Sequence, residues 1–224
     1  MVSKAVPLPA AIVAAGLLWA SAPVAAVPAA TQVITAVPVG PSGEPINGYQ
    51  EAPPRGNVSV VSDCTTSSPS AVAEDIYYCS PSAADAGTCW PSTAESLLCM
   101  TDPWAKQLHR VQYDGPLPSV RPTAIADPFA LLLDDGTRCQ LRNGGAWGGR
   151  DDGYVGVYGC GGAGANLAVL WLPSQGPGSC VDRSAPVWTV KVGRLGLPNE
   201  QFPPPLTRSV TSAWFAGRAA AERP

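Results

Sequence analysis

His109 is the one histidine in the sequence and the one candidate for a general base in nucleophilic catalysis. A catalytic serine or cysteine needs such a base to take its proton, and a third group to orient the base. The sequence contains no GxSxG motif to present a nucleophilic serine, and no cysteine-peptidase motif surrounds His109. We therefore interpret His109 as a surface or packing histidine, and the sequence predicts no catalytic residue.

Two pairs of adjacent carboxylates, Asp134–Asp135 and Asp151–Asp152, are the candidates for acid and base in glycoside hydrolysis. That reaction requires two acids held about 5 to 9.5 Å apart across a sugar cleft. Both pairs precede a glycine, which is the pattern that tight turns select. We interpret them as turn residues; calcium binding is the weaker alternative, because the alternating acids of an EF-hand loop are missing.

Two glycine-rich runs, residues 144–149 and 159–164, resemble phosphate-binding loops only in composition. Neither ends in Lys-Ser/Thr as a P-loop does. Residues 159–164 do read GCGGAG, but a strand is expected after them, whereas the dinucleotide-binding GxGxxG motif opens a helix. The runs are predicted to form turns between strands, and no nucleotide or other cofactor is expected.

The loop 142–152 is the strongest candidate for a ligand contact. Glycines flank Trp147 on both sides, so an exposed indole there would stack on a ligand while its polar neighbours supply hydrogen bonds. The competing interpretation is that Trp147 is buried and plugs one end of a barrel or sandwich. The candidate ligand-binding residues are Arg142, Asn143, Trp147, Arg150 and Asp151.

Seven cysteines lie in the chain, and each follows residue 60. A tetrahedral zinc site is not expected, because no CxxC spacing occurs and there is a single histidine. Disulfides are therefore predicted, as in exported proteins.

The pairing of Cys139 with Cys160 follows from the expected strands. Cys139 lies in the second strand of a hairpin that turns at residues 134–136, and Cys160 ends the next strand. Neighbouring antiparallel strands bring such residues together. The predicted bridges are Cys139–Cys160, Cys89–Cys99 around Trp90, and one among Cys64, Cys79 and Cys180, for which we take Cys64 and Cys79.

The amino terminus has the three parts of a secretory signal: Lys4, an apolar stretch from Ala10 to Ala20, and small residues before the predicted cleavage site after Ala26. The apolar stretch is shorter than the roughly 20 residues that span a bilayer, so an uncleaved anchor is the weaker alternative, and no stable membrane span is expected after cleavage. The predicted organisation is a signal peptide (1–26), a Pro-rich flexible linker (27–62), a disulfide-bonded domain (63–218) and a disordered tail (219–224).

Short runs of β-branched and apolar residues, separated by Gly, Pro and Asp, fill the second half of the chain. An Asp-Gly turn separates two of them, which indicates a hairpin, and no window has sustained helical spacing. The predicted fold is all-β, a small antiparallel sandwich or barrel whose first half is loop-rich and stapled by disulfides. The expected strands are 96–100, 110–113, 129–133, 138–142, 154–158, 167–172, 187–192 and 209–215.

The charge excludes a nucleic acid as the expected partner. The formal net charge is −3, and the 14 Lys and Arg residues are scattered along the chain. Binding to a phosphate backbone requires a clustered basic surface.

The motifs CWP (89–91), LLCMTDPW (97–104), LDDGTRCQLRNGGAWGGR (133–150) and DGYVGVYGC (152–160) together resemble a group of exported, cysteine-rich proteins of mycobacteria and related actinobacteria. The resemblance continues through WTVKVG (188–193) and AWF (213–215), and so covers most of residues 79–217. It implies export and a shared fold, and it brings no established activity to any residue.

The sequence thus favours a secreted binding or interaction module, with a cell-wall glycan or another exported protein as its expected partner. The absence of a recognisable catalytic set carries this expectation. Two alternatives stay open: a secreted enzyme with an unfamiliar site, and a structural protein of the cell envelope.

Overall fold

The computed structural model describes residues 29–53, 59–93, 95–142, 144, 148–162, 164–175, 179–197 and 200–220; the predicted signal peptide lies outside them. The described chain is all-β, as predicted, with two single 3₁₀ turns at Ser82–Ala84 and Pro173–Gln175. Within these residues, no helix is long and apolar enough to cross a membrane. The strands are β1 (Gln32–Ala36), β2 (Gln50–Glu51), β3 (Ser59–Val61), β4 (Asp63–Ser67), β5 (Tyr77–Ser80), β6 (Cys89–Pro91), β7 (Ser96–Asp102), β8 (Gln107–Tyr113), β9 (Ala130–Leu133), β10 (Arg138–Leu141), β11 (Val155–Cys160), β12 (Leu167–Trp171), β13 (Val181–Asp182), β14 (Trp188–Arg194) and β15 (Leu206–Ala216).

The second half of the chain forms a closed antiparallel barrel of six strands. The order around the barrel is β9, β10, β11, β12, β14 and β15, and β15 closes it by pairing with both β14 and β9. The first hairpin turns at residues 134–136, where the sequence predicts it. Closure leaves these six strands without the unpaired edges that an open sheet exposes.

Alternating residues fill the barrel interior. Tyr158 is fully buried there, and its hydroxyl donates to the backbone oxygen of Pro128 at 2.7 Å. The phenol therefore keeps a hydrogen bond in an apolar surrounding, where an unpaired hydroxyl would be costly. The other buried residues of this core are Leu131, Leu133, Cys139, Cys160, Val169, Val181, Val190, Val192, Val210, Ala213 and Phe215.

The first half of the chain forms a second sheet in which β4 to β8 run antiparallel in sequence order. The short strands β2 and β3 join β8 in parallel. Because successive residues of a strand point to opposite faces, Leu98 and Met100 of β7 pack toward the barrel, while Leu97 and Cys99 pack into a separate core on the other face. The second sheet is thus buried on both faces at β7.

The expected flexible linker over residues 27–62 is a wrong prediction for residues 29–53 and 59–62, since Ser59–Val61 forms β3. Gln32–Ala36 forms β1, which pairs in parallel with residues 212–216 of β15. Thr31 fixes the start of the strand, because its hydroxyl donates to the oxygen of Val210 at 2.6 Å and accepts the amide N–H of Trp188 at 2.8 Å. The long β15 extends past β14, and the β-branched residues of β1 occupy the edge left beyond it.

The three predicted disulfides are confirmed: Cys64–Cys79, Cys89–Cys99 and Cys139–Cys160. Cys139 and Cys160 face each other in register across β10 and β11. Cys180 keeps a free thiol. Burial raises the pKa of that thiol to about 12, so the thiol stays protonated and unreactive at neutral pH.

Candidate functional site

A row of residues crosses the outer wall of the barrel in register. Residues that pair directly across neighbouring strands point to the same face, so these side chains lie side by side. Four of the six residues are Gly or Ala, so little side-chain volume covers this part of the wall. The row is Trp214, Ala130, Gln140, Gly159, Ala168 and Gly193.

A groove of about 690 Å³ lies over the part of this row formed by Gln140 and Gly159. The 3₁₀ turn Ser82–Ala84 of the second sheet forms one wall, and Leu195 lies on the groove lining as well. The volume falls within the ~300 to 1,000 Å³ typical of ligand-binding clefts. The polar side chains on the groove surface belong to Ser82, Asp85, Thr101, Gln140, Arg142 and Asn166.

Gln140 joins the two sheets at the groove. Its Nε2 donates to the backbone oxygen of Thr101 at 3.2 Å, so the barrel and β7 are linked at this point. One amide hydrogen is used in this way, and the other hydrogen and the Oε1 lone pairs add both a donor and an acceptor to the groove.

Arg142 lies against Gly159 on the floor of the groove. A Cβ at Gly159 would approach the Cδ of Arg142 to 3.2 Å, so the glycine makes room for the aliphatic part of the arginine. Gly144 approaches the opposite wall closely: its φ is +67°, and a Cβ there would lie 2.6 Å from Ser82 Oγ. The glycines at these two positions therefore permit the floor and the wall to meet.

Asp85 supplies the carboxyl group of the groove. It follows the 3₁₀ turn in a left-handed conformation with φ +53°, which aspartate tolerates better than most residues. Burial among the groove walls raises the pKa of the Asp85 carboxyl, while nearby His109 acts in the opposite direction. The residue as a whole is exposed, and no hydrogen bond from the described residues reaches its carboxyl.

His109 lies behind the same 3₁₀ turn and does not line the groove. Its Nε2 is 3.0 Å from the backbone oxygen of Ala84, and its Nδ1 is buried without a hydrogen-bond partner in the described chain. The sequence left a surface and a packing position open, and the structure shows His109 half-buried behind the turn. The carboxyl of Asp85 is close enough to His109 to interact with it electrostatically.

Arg142, the first residue of the loop 142–152, lines the groove. Asn143 and Trp147 lie outside the described residues, so their part in a site stays a prediction. Asp151 is exposed and does not line the groove.

Arg150 anchors the same loop from inside the protein. Its side chain is 1% exposed and forms an ion pair with Asp152 at 2.5 Å. The guanidinium also donates to the backbone oxygens of Arg194 and Pro203, each at 3.0 Å, and it lies over the Phe202 ring. Arg150 therefore holds the loop against the barrel, and its donors face protein acceptors.

The adjacent acids Asp134 and Asp135 behave as turn residues. Asp135 accepts the amide N–H of Thr137 at 2.9 Å, and both Asp134 and Asp135 pair with Arg208. No cluster of three or more His, Cys, Asp or Glu in the described part of the chain is arranged to hold a metal ion.

A second cleft of about 480 Å³ contains Arg110, whose donors are already engaged. Both carboxylate oxygens of Glu51 accept from it, at 2.8 and 2.7 Å, and Ser96 Oγ accepts at 2.7 Å. This arginine fastens β2 to the second sheet, which makes the larger groove the better candidate site.

Sequence reasoning missed Ser82, Asp85, Thr101, Gln140 and Asn166. Each is an ordinary polar residue in the sequence, and they meet because the second sheet packs beside β10 and β11. The outward position of Gln140, next to the inward Cys139, is the one local signal.

Comparison of the chain with protein-family models, curated proteins and solved structures gave no match.

Proposed function

We propose that the chain is an exported binding module that holds a polar ligand in the groove between the barrel and the second sheet. The observation that carries this proposal is the convergence of two amides, two hydroxyls, a carboxyl and a guanidinium on one cleft of about 690 Å³. A cleft with a few converging polar groups is the usual form of a ligand site.

The position of the histidine favours binding over catalysis. A general base must reach the proton that it abstracts, directly or through one water. His109 uses Nε2 for the Ala84 carbonyl, and its Nδ1 faces the protein interior. The groove side chains are suited to hydrogen bonding with a bound molecule.

Export is supported by the amino-terminal pattern and by the three disulfides, which form in oxidising compartments. The test is Edman sequencing of the protein recovered from the medium of an exporting host. Cleavage after Ala26 leaves Val27 as the first residue. Recovery in the membrane fraction with Met1 or Val2 at the terminus would contradict the proposal.

The binding test measures retention of the exported chain on two immobilised panels, cell-wall glycans and random peptides. Gln140→Ala and Asn166→Ala are expected to lower retention by about tenfold each, the loss of one or two hydrogen bonds to the ligand. Gln112→Ala is the matched control, because Gln112 lines the second cleft instead. A loss with Gln112→Ala alone would move the site to that cleft and overturn the proposed one.

A further inference from the structure

We infer that the ligand of this groove is a peptide segment that carries a cationic side chain, and that Asp85 receives this side chain. The inference rests on the proposed function and names the class of its ligand. Three features of the groove support it: the carboxyl of Asp85, the amides of Gln140 and Asn166, and the charge of Arg142.

The Asp85 carboxyl has acceptor capacity that the described protein leaves unused. Most carboxylates in the described chain accept hydrogen bonds from their own turn or from an arginine, as Asp75, Asp135 and Asp152 do. Asp85 has no such bond from the described residues, and it lines the groove. An ammonium or guanidinium group is the strongest donor for such a carboxylate.

The neighbouring groups suit a peptide backbone. The Gln140 and Asn166 side chains contain the same donor and acceptor groups as a peptide bond, and both line the groove. Gly162 and Gly164 on the same surface have no side chain, and no described atom lies within 4 Å of where a Cβ would stand, so a ligand backbone can approach the protein backbone there. A peptide is thus bound through its main chain, and Asp85 selects the side chain.

Arg142 restricts the ligand further. Its positive charge lies on the same groove as Asp85, so a uniformly basic peptide is repelled at one part of the site. A peptide with a Lys or Arg and an acidic residue or a free carboxyl terminus matches both charges. The net charge of −3 favours the approach of the cationic part.

The test uses the full exported chain and two bead libraries of random hexapeptides that differ at one fixed position, Lys in one and norleucine in the other. The Lys library is expected to retain about tenfold more protein, the effect of one charge-assisted hydrogen bond. Asp85→Asn removes this preference, and the matched control Asp63→Asn keeps it. Asp63 is an exposed acid on β4 that does not line the groove.

The outcomes separate this inference from the proposed function. Equal retention by the two libraries, or a Lys preference that survives Asp85→Asn, overturns the peptide inference. If Gln140→Ala then lowers retention on glycans or on either library, the binding function stands with another ligand class. No retention on any glycan or peptide overturns both.

Discussion

The indole N–H of Trp90 donates a hydrogen bond to the backbone oxygen of Gly217 at 2.8 Å, across 127 positions of the sequence. Trp90 lies in β6 of the second sheet, and Gly217 directly follows β15 of the barrel. The amide N–H of Gly217 donates to the Ala36 oxygen at 2.8 Å, so three distant segments meet at this glycine. The junction is therefore one of the contacts that join the second sheet to the barrel, together with Gln140–Thr101.

Trp90→Phe is expected to lower the free energy of unfolding by about 2 kcal/mol. The change leaves the Gly217 carbonyl without its donor and opens a small cavity around a side chain that is 1% exposed. Urea unfolding followed by circular dichroism measures the loss. Trp171→Phe is the control, because Trp171 is half-buried at the end of β12. An equal loss in both variants would contradict the special role of Trp90.

Removal of the barrel disulfide through the double variant Cys139→Ala, Cys160→Ala is expected to lower the free energy of unfolding by about 3 kcal/mol. The bridge spans 21 residues, and a loop of this size restricts the unfolded chain by about that amount. Urea unfolding under non-reducing conditions is the measurement. Cys180→Ala, which removes the free thiol and no bridge, is expected to lower the free energy of unfolding by less. A larger loss from Cys180→Ala would show that the core around the thiol matters more than the bridge.

Local features of the sequence were sufficient to predict most barrel strands. The turn at Asp134–Gly136 and the pairing of Cys139 with Cys160 depend on residues close in sequence, so hairpin chemistry determines them. Closure of the barrel depends on the 11-residue length of β15 and on its long-range pairing. The proline-rich composition around β1 resembles a linker, and its pairing with β15 outweighs that local tendency.

One residue of the candidate groove stands in a stretch whose local pattern is distinctive. Arg142 belongs to the glycine-flanked loop that drew attention in the sequence, and it lines the groove. Arg150 belongs to the same loop, but it points inward because Asp152 and two backbone carbonyls satisfy its buried charge. Asp85 joins the site through packing of the second sheet, which no local pattern specifies.

Asp152→Asn is expected to lower stability at neutral pH by about 1 kcal/mol, a modest effect because the carboxyl is partly exposed. The hydrogen bond from Arg150 lowers the pKa of Asp152 below its usual value in the folded protein. The carboxylate therefore contributes stability above its unfolded pKa, and this contribution is lost as the pH falls through the folded pKa. Thermal unfolding at pH 7 and at about pH 3 should show the difference from wild type shrinking with acid. The exposed neighbour variant Asp151→Asn should match wild type at both pH values; a difference that stays constant with pH would contradict the pairing.

Asp85→Asn is expected to raise the melting temperature at pH 7. Burial raises the pKa of Asp85, so the folded state disfavours the charged form, and the wild-type protein gains stability as the pH falls through that raised pKa. Asparagine keeps the shape of the side chain and tolerates the φ of +53°, while it removes the charge. Thermal unfolding of both proteins at pH 7 and at about pH 4 should therefore show a gain at pH 7 that narrows at the lower pH. A lower melting temperature for Asp85→Asn at pH 7 would show that the carboxylate stabilises the fold. A gain in stability together with a lost preference for lysine peptides would mean that the charge serves the ligand at the expense of the fold.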